Sequence, residues 1–282
     1  MDTKISIVMT TYNSSEYIDE CIKSILSQTF KEFEFIIIDD GSTDNSNKII
    51  EKYNDSRIKF YQKSHNYIES LNYGIYLAKG KYIVRMDSDD KMLKHRLQTQ
   101  YNYMESHPDI AVCGSWVETF GSDQKIYKYS ENHDELICTM LTGNPLCHPS
   151  VIIRKAIINK YFLDAGTSVY NPQYIYAEDY KLWCDIVMKG HKIANIPEVL
   201  IRYRCSENQI SFMHQLDVAK CAYKIRLEYL NYVTNIIANN QPEFINILNQ
   251  TISLYNQKKI DFNNLSSKIK PLYESFLKEK MK

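Results

Sequence analysis

Three carboxylates follow the apolar segment 82–84 within four positions, in the sequence "RMDSDD" (85–90). They are Asp87, Asp89 and Asp90, and like charges this close repel one another unless a positive group lies among them. Mg²⁺ and Mn²⁺ prefer carboxylate oxygens, and they usually bind one or two protein carboxylates together with substrate phosphates. The segment therefore predicts a divalent metal site that receives a diphosphate.

The D-S-D alternation gives this prediction a geometry. Neighbouring side chains of an extended segment point in opposite directions, so Asp87 and Asp89 would face the ligand while Ser88 turns away. We expect Asp90 to orient the loop. An alternative is that these acids only favour the start of a helix near residue 93.

A second acidic pair, Glu178 and Asp179, lies in "YAEDYKLW". Acids are common in the first turn of a helix, which is the structural interpretation. Asp179 and Trp183 are four positions apart and share a helix face, so a carboxylate beside an indole would position a hydroxyl and hold a sugar ring. Ordinary core packing of Trp183 is the other interpretation.

The elements that must position these acids follow from hydrophobic periodicity. Short strands that are apolar throughout alternate with helical patterns up to about residue 114, which predicts an α/β fold with a mainly parallel, Rossmann-like sheet flanked by helices. Ligands of such sheets bind beyond the carboxyl ends of the strands. Three polar clusters follow strands in this way, and we expect them on one rim: Thr10-Thr11-Tyr12-Asn13, Asp39-Asp40 and Asp87 to Asp90.

Other parts of the chain have weaker patterns. Asn13 and Glu16 have the spacing of a helix N-cap and capping box. The pattern over 115–175 indicates loops and edge strands, and a helix is expected near 178–190. From about residue 212 the chain looks helical and ends in a lysine-rich helix, which is either solvated or binds a membrane surface or a partner.

Composition excludes several classes of protein. The 34 basic and 34 acidic residues cancel, so no overall field favours nucleic acid. The 7 cysteines are dispersed and typical of reduced thiols. We find neither a signal peptide nor a stretch of roughly 18 apolar residues that would span a membrane. The expected location is the cytoplasm, with a peripheral position at the inner face of the membrane as an open alternative.

Six segments, taken in order, resemble the inverting GT-A glycosyltransferases of glycosyltransferase family 2. They cover roughly residues 3–212 and are "SIVMTTYNSSEYIDECIKSILSQTF", "EFIIIDDGSTDNS", "AKGKYIVRMDSDD", "GNPLCHPSVIIRK", "AEDYKLW" and "YRCSENQIS". The resemblance implies a GT-A domain over 1–211, with a nucleotide-sugar-binding half (1–114) and an acceptor-binding half (115–211). Residues 212–282 form a helical C-terminal extension outside it.

The resemblance also implies roles for the donor-binding residues. Thr10, Tyr12 and Asp40 match positions that hold the nucleobase and ribose, with Asp40 accepting the uracil N–H. Asn13 belongs to the same cluster and is counted with them.

The same resemblance implies the catalytic and metal-binding residues. Asp87 and Asp89 match the D-x-D motif, in which Asp89 is the firmer ligand of Mn²⁺ or Mg²⁺ and Asp87 the ribose or second contact. Asp179 matches the catalytic base, and Arg204 and Ser211 match a late segment that closes over the diphosphate.

The chain departs from the family pattern at one position. Many relatives have a histidine two residues after the arginine, where this chain has Ser206. His148 is a candidate substitute, with a packed, hydrogen-bonded histidine as the alternative. The Q-x-x-R-W motif of processive members is absent, which favours transfer of a single sugar.

The sequence thus predicts a metal-dependent inverting glycosyltransferase that moves one sugar from a nucleotide-sugar to a hydroxyl. UDP is the expected nucleotide, with dTDP as an open alternative because it offers the same N–H, and a glycan or lipid-linked saccharide of surface polysaccharide biosynthesis is the expected acceptor. Self-association through the C-terminal helices is a further open alternative. A nucleotidyltransferase is disfavoured because "TTYNSSEYID" contains no glycine, lysine or arginine. A catalytically silent nucleotide-sugar-binding protein is disfavoured because Asp89 and Asp179 are both present.

Overall fold

A mixed nine-stranded sheet forms the centre of the molecule, described here by a computed structural model over residues 3–206 and 213–280. The strand order is β3-β2-β1-β4-β8-β6-β9-β5, and β7 pairs with β6. The strands are β1 (Ile5–Thr11), β2 (Phe33–Asp39), β3 (Ile58–Gln62), β4 (Tyr82–Asp87), β5 (Lys91–Met92), β6 (Ile110–Gly121), β7 (Ile126–Tyr127), β8 (Ile152–Arg154) and β9 (Lys192–Cys205).

The first four strands are parallel, and the rest of the sheet is mixed. β1 pairs in parallel with β2 and β4, and β2 with β3. β8 then runs antiparallel to both β4 and β6, and β5 runs antiparallel to β9. The predicted α/β arrangement of the first half is confirmed. The expectation of edge strands in the region 115–175 is only partly right: β7 pairs with β6 alone, whereas β8 lies inside the sheet between β4 and β6.

Helices cover both faces of the sheet. They are α1 (Ile18–Leu26), α2 (Ser46–Ile50), α3 (Tyr67–Leu77), α4 (Arg96–Ser106), α5 (His133–Thr139), α6 (Lys155–Ile158), α7 (Glu178–Met188), α8 (Gln215–Asn240), α9 (Ile245–Asn256) and α10 (Phe262–Lys280). Because strand side chains alternate between faces, Ile7 of β1 packs with α1 and α4, whereas Val8 packs with α3 on the other face. Gly74 allows α3 to approach closely, since a Cβ there would lie 2.5 Å from a Val8 methyl.

The C-terminal helices share a core with the sheet domain. Ile225 and Tyr229 of α8 and Ile269 of α10 belong to the same buried cluster as Trp183 of α7. The predicted helical extension is confirmed, but its apolar face packs against the rest of the molecule. The predicted division near residue 114 falls inside β6, and position 212 lies outside the described residues.

Three further expectations from the sequence concern the start of α1, the cysteines and membrane-spanning segments. The capping box at Asn13 is wrong: α1 begins at Ile18, and its N-cap residue, Tyr17, makes no side-chain cap. Asn13 has φ of 48° and instead joins two loops, accepting a hydrogen bond from Thr43 N–H (2.8 Å). All seven cysteines are free thiols. Within residues 3–206 and 213–280, no helix combines the length and apolar character that crossing a membrane requires.

Candidate active site

The three polar strand ends lie side by side, as the parallel arrangement predicts. The register pairs Thr10 with Asp87 on one side of β1, and Thr11 with Asp39 on the other. The backbone N–H of Asp40 donates to the Thr11 carbonyl at 2.8 Å. One rim of the sheet therefore collects carboxylates from β2 and β4 around the end of β1.

In the acidic loop after β4, exposure alternates along the chain. Asp87 and Asp89 are partly exposed, whereas Ser88 and Asp90 are buried. The Ser88 hydroxyl lies 2.8 Å from that of Ser14, and an Asp90 oxygen accepts the backbone N–H of Arg204 at 2.8 Å. The expected alternation of exposed Asp87 and Asp89 with buried Ser88 is thus observed, although residues 88 and 89 form a turn and not an extended segment. The helix-start alternative is wrong, because β5 follows the loop and α4 begins only at Arg96.

A positive group among these acids comes from the chain itself. The side chain of Arg85 is 2% exposed, and its guanidinium forms an ion pair with Asp87 Oδ1. Burial is the largest influence on Arg85 and opposes its charge, but the Asp87 carboxylate together with Tyr67 and Tyr170 raises the arginine pKa overall. Sequence reasoning invoked only a metal here, although strand alternation already puts Arg85 and Asp87 on one face.

The loop retains an excess of carboxylates beyond this pair. Burial, and then the charge of Asp87, raises the pKa of Asp89 to about 6. Burial and the neighbouring acids also raise the pKa of Asp90, whose Oδ2 is buried without a hydrogen-bond partner. Among the described residues, no three His, Cys, Asp or Glu side chains converge as a complete metal cage. Two partly exposed carboxylates nevertheless fit Mg²⁺ or Mn²⁺, which take their remaining ligands from phosphates and water.

At the end of β1, Tyr12 and His65 form an exposed aromatic pair. Their ring centroids are 4.3 Å apart, and His65 Nδ1 lies 2.9 Å from Asp40 Oδ2. Asp40 itself is 2% exposed, and its other oxygen accepts Asn66 N–H (2.8 Å) and the Ser70 hydroxyl (2.6 Å). Direct contact between Asp40 and uracil stays a prediction: Asp40 is enclosed here, and His65, which is 59% exposed, presents its ring at the surface.

Two other donor-site candidates have structural roles: Thr10 has little exposed surface, and Asn13 makes a hydrogen bond within the protein. Thr10 is buried beside Asp87. Asn13 joins its own loop to the loop after β2 through its hydrogen bond with Thr43. Of the cluster 10–13, Tyr12 presents the large exposed surface.

Glu178 and Asp179 begin α7 and differ sharply in environment. Glu178 is 3% exposed; its Oε1 accepts the Tyr67 hydroxyl at 3.0 Å, and its Oε2 has no partner. Asp179 is partly exposed, and its two oxygens accept Asn144 Nδ2 and Tyr180 N–H, each at 2.7 Å. Burial raises the pKa of Asp179 to about 6. The Arg85 and Asp87 charges also act on this carboxyl, so Asp179 lies within electrostatic range of the acidic loop.

Trp183 and His148 belong to the wall behind the site. Trp183 is 0% exposed, so the suggestion that its ring holds a sugar is wrong and the core-packing interpretation is correct. His148 Nε2 lies 2.9 Å from the Tyr170 hydroxyl, and its ring packs edge-on against Trp183. Burial, and then the charge of Arg85, lowers its pKa. His148 is a packed, hydrogen-bonded histidine and does not substitute for the missing family histidine.

Arg204 lies against the acidic loop. Its Nε donates to the Asp89 carbonyl at 2.9 Å, and its guanidinium stacks between the rings of Tyr17 and Phe120, at 4.1 and 4.5 Å. The structure thus brings Arg204 next to the predicted metal ligands. Ser211 lies outside the described residues.

Sequence reasoning missed four residues of this site: Arg85, His65, Asn144 and Tyr67. Strand alternation could have identified Arg85. The other three touch their partners only through tertiary contacts, across 25 positions for His65–Asp40, 35 for Asn144–Asp179 and 111 for Tyr67–Glu178.

Comparison with known proteins agrees with this arrangement. The sequence profile described as Glycosyl transferase family 2 matches residues 6–163. An uncharacterized glycosyltransferase of Haemophilus influenzae is 33% identical, over 97% of this chain and 85% of that protein. The O-antigen biosynthesis glycosyltransferase WbnJ of Escherichia coli is 31% identical, over 83% of this chain and 92% of its own.

Solved structures show the same fold. S. aureus TarS 1–349 in complex with UDP-GlcNAc superimposes with a TM-score of 0.64 at 19% identity, over 98% of this chain and 92% of that one. The mannosyltransferase PcManGT of Pyrobaculum calidifontis, in complex with GDP-Man and Mn²⁺, gives a TM-score of 0.57 at 13% identity, over 98% and 86%. At these identities the likeness concerns the fold.

Proposed function

Because the chain belongs to glycosyltransferase family 2 and is therefore a glycosyltransferase, a class in which inversion is typical, we propose that it transfers one sugar from a UDP-sugar to a hydroxyl with inversion at the anomeric carbon. The observation that carries the proposal is Asp179, a partly exposed carboxylate at the start of α7, near enough to Asp87 of the acidic loop for the Asp87 charge to raise its pKa. Asp179 would accept a proton, while the Asp87–Asp89 loop would bind the diphosphate end of the donor.

In this proposal the donor's base lies against Tyr12 and His65, and Asp40 holds the imidazole. Arg204 and the exposed oxygens of Asp87 and Asp89 face the diphosphate end. A bound Mn²⁺ or Mg²⁺ would neutralise charge that develops on the leaving diphosphate, which is often a large part of such catalysis. Asp87 and Asp89 would be its protein ligands.

Asp179 would act as the general base. It takes the proton of the acceptor hydroxyl while that oxygen bonds to the anomeric carbon and the bond to the diphosphate breaks. General-base assistance typically contributes about 10²–10⁴-fold to a rate. The raised pKa of Asp179 brings this carboxylate closer to the operating pH, which suits a base.

The substrates are proposed at the level of chemical class. TarS was solved with UDP-GlcNAc and PcManGT with GDP-Man and Mn²⁺, so both nucleotides belong in a donor screen. The name of WbnJ supports a glycan or lipid-linked saccharide acceptor of surface polysaccharide biosynthesis. The dispersed free thiols are typical of a reducing compartment, so we propose a cytoplasmic location, with attachment to the inner face of the membrane tested by vesicle flotation.

Two variants test the assignment. Asp179→Asn should retain binding of the UDP-sugar and lose at least about 100-fold in turnover, because only the base is removed. Asp89→Ala should lose both Mn²⁺-dependent donor binding and turnover. Asp109→Asn, which breaks an exposed ion pair with Lys192, is the control. Binding is read as thermal stabilisation by nucleotide-sugars with and without Mn²⁺. Wild-type turnover by Asp179→Asn would refute the base assignment.

A further inference from the structure

We propose that Asn144 is a positioning residue for Asp179 and that the C-terminal helix α8 holds the loop that carries it. This inference rests on the proposed role of Asp179 as the base. It assigns a purpose to the C-terminal extension, whose residues lie outside the family-like segments.

The contact between Asn144 and Asp179 has a defined direction. Asn144 Nδ2 donates to Asp179 Oδ2 at 2.7 Å, and Asn144 Oδ1 accepts the backbone N–H of Leu146 at 3.3 Å. An ionised carboxylate only accepts hydrogen bonds, so the amide group of Asn144 must face it. Both ends of the asparagine amide are therefore used, and the side chain cannot rotate without losing a hydrogen bond.

The carboxylate of Asp179 is held from two sides. Its second oxygen accepts the backbone N–H of Tyr180 at 2.7 Å, so each oxygen has one fixed donor. A carboxylate has about four acceptor directions, which leaves directions for an acceptor hydroxyl. Asn144 thus orients the Asp179 carboxylate and leaves room for an acceptor hydroxyl to bind it.

The same hydrogen bond favours the ionised form of Asp179. Burial raises the pKa of this carboxyl, and the hydrogen bond from Asn144 is the largest influence that lowers it. Tyr180 N–H and Arg85 lower it further, while Asp87 raises it. Loss of Asn144 should therefore leave more of the base protonated at neutral pH.

Helix α8 contacts the loop of Asn144. Arg226 donates to the Thr142 carbonyl at 3.4 Å and to Asn263 Oδ1 of α10 at 3.3 Å. Its guanidinium also lies 5.2 Å from the centre of the Phe262 ring. Arg226 therefore connects the loop, two residues before Asn144, to the C-terminal helices.

The same helix contacts the other segment that leads to the base. The Glu228 carboxylate accepts a hydrogen bond from the Tyr174 hydroxyl. Lys181 Nζ of α7 lies 3.5 Å from Glu228 Oε2. Tyr174 precedes Asp179 in the chain, and Lys181 follows it. Both chain segments that meet at Asp179 are consequently held by α8, which makes the extension part of the apparatus that positions the base.

The test measures the Asp179 pKa in the full-length protein by ¹³C carboxyl NMR, with Asp179→Asn used to assign the signal. Asn144→Ala should raise this pKa by about one pH unit, because a hydrogen bond to a charged group is lost. The rising limb of the pH–rate profile should shift in the same direction, and turnover at pH 7 should fall about tenfold. The KM for the donor should change less than twofold.

Asn102→Ala is the matched control, because it also removes an exposed asparagine that accepts a hydrogen bond, from Gln98 at 3.0 Å. It should leave the pKa and the profile unchanged. An unchanged Asp179 pKa in Asn144→Ala would overturn the positioning role.

The part played by α8 is tested by a double-mutant cycle. Arg226→Ala should raise the Asp179 pKa less than Asn144→Ala, and the double variant should match Asn144→Ala, since both act through one contact. Fully additive shifts would overturn the role of α8. The NMR titration does not depend on turnover, so an active Asp179→Asn would refute the proposed base and leave the test of Asn144 intact.

Discussion

The guanidinium of Arg85 forms an ion pair with the carboxylate of Asp87, two residues further along the same strand. Alternate residues of a strand share a face, so β4 carries both charges to the rim of the sheet. The arginine is buried, whereas the aspartate is 31% exposed. One oxygen of Asp87 is therefore held inside the protein, and the carboxylate still reaches the surface where a ligand would bind.

Replacement of Arg85 by glutamine should destabilise the protein by about 3 kcal/mol, because a largely buried ion pair loses one partner. Urea unfolding at pH 7.5 measures the free energy of unfolding. Lys23→Gln removes an exposed ion pair with Asp19 and should cost less than about 0.5 kcal/mol. Equal losses in the two variants would contradict the importance assigned to the Arg85 pair.

Turnover should increase with pH through about 6, which is the pKa that burial gives Asp179. The ionised carboxylate is the active base, so the rate should fall about tenfold for each pH unit below the pKa and level off above it. Initial rates between pH 5 and 8.5 at saturating donor and acceptor measure this. A rate that decreases over this interval would contradict a carboxylate base.

Glu178→Gln should stabilise the protein at pH 8 by about 1–3 kcal/mol and have little effect near pH 4.5. Burial, and then the charge of Asp179, raises the Glu178 pKa to about 7 in the folded protein. Below the unfolded pKa the side chain is neutral in both states. Between about pH 4.5 and 7 the unfolded state ionises Glu178 while the folded state keeps it neutral, so stability falls over this interval and levels off above it, and glutamine removes that loss.

Urea unfolding at both pH values gives the difference for Glu178→Gln. The glutamine carbonyl can still accept the Tyr67 hydroxyl, so the variant isolates the charge. A stability difference that does not depend on pH would show that the charge of Glu178 is not responsible.

His65→Ala should weaken UDP binding about five- to tenfold, because the base would lose one aromatic contact and Tyr12 its neighbour. Calorimetric titration with UDP gives the Kd. His107→Ala is a matched control, since His107 stacks on Tyr103 at 4.1 Å in an equivalent pair. Equal affinities of the His65 variant and wild type would remove His65 from the nucleotide site.

The predictions that succeeded from sequence concern the strands and the residues at their carboxyl ends. β1, β2 and β4 are apolar almost throughout, and such strands are buried on both faces of a parallel sheet. Their carboxyl ends then meet on one rim, and the acidic segment follows directly where β4 ends at Asp87. These are local rules, so a chain with this pattern specifies them residue by residue.

Local rules did not decide which groups surround the side chains of the predicted site. Trp183 has the same helical spacing whether it lines a pocket or fills a core, and its burial comes from the core cluster that it shares with distant elements and from the packing of His148. Asp40 matched a base-binding position, yet Asn66, Ser70 and His65 enclose it.

The amino-acid sequence by itself determined the α/β sheet, its acidic rim and the family to which the chain belongs, because periodicity and strand ends are encoded over a few neighbouring residues. Only the tertiary structure decided that His65 shields Asp40, that Asn144 donates a hydrogen bond to Asp179 and that α8 contacts the chain segments on both sides of Asp179. Each of these contacts joins residues that are distant in the chain, and packing of whole elements against one another brings them within hydrogen-bonding distance.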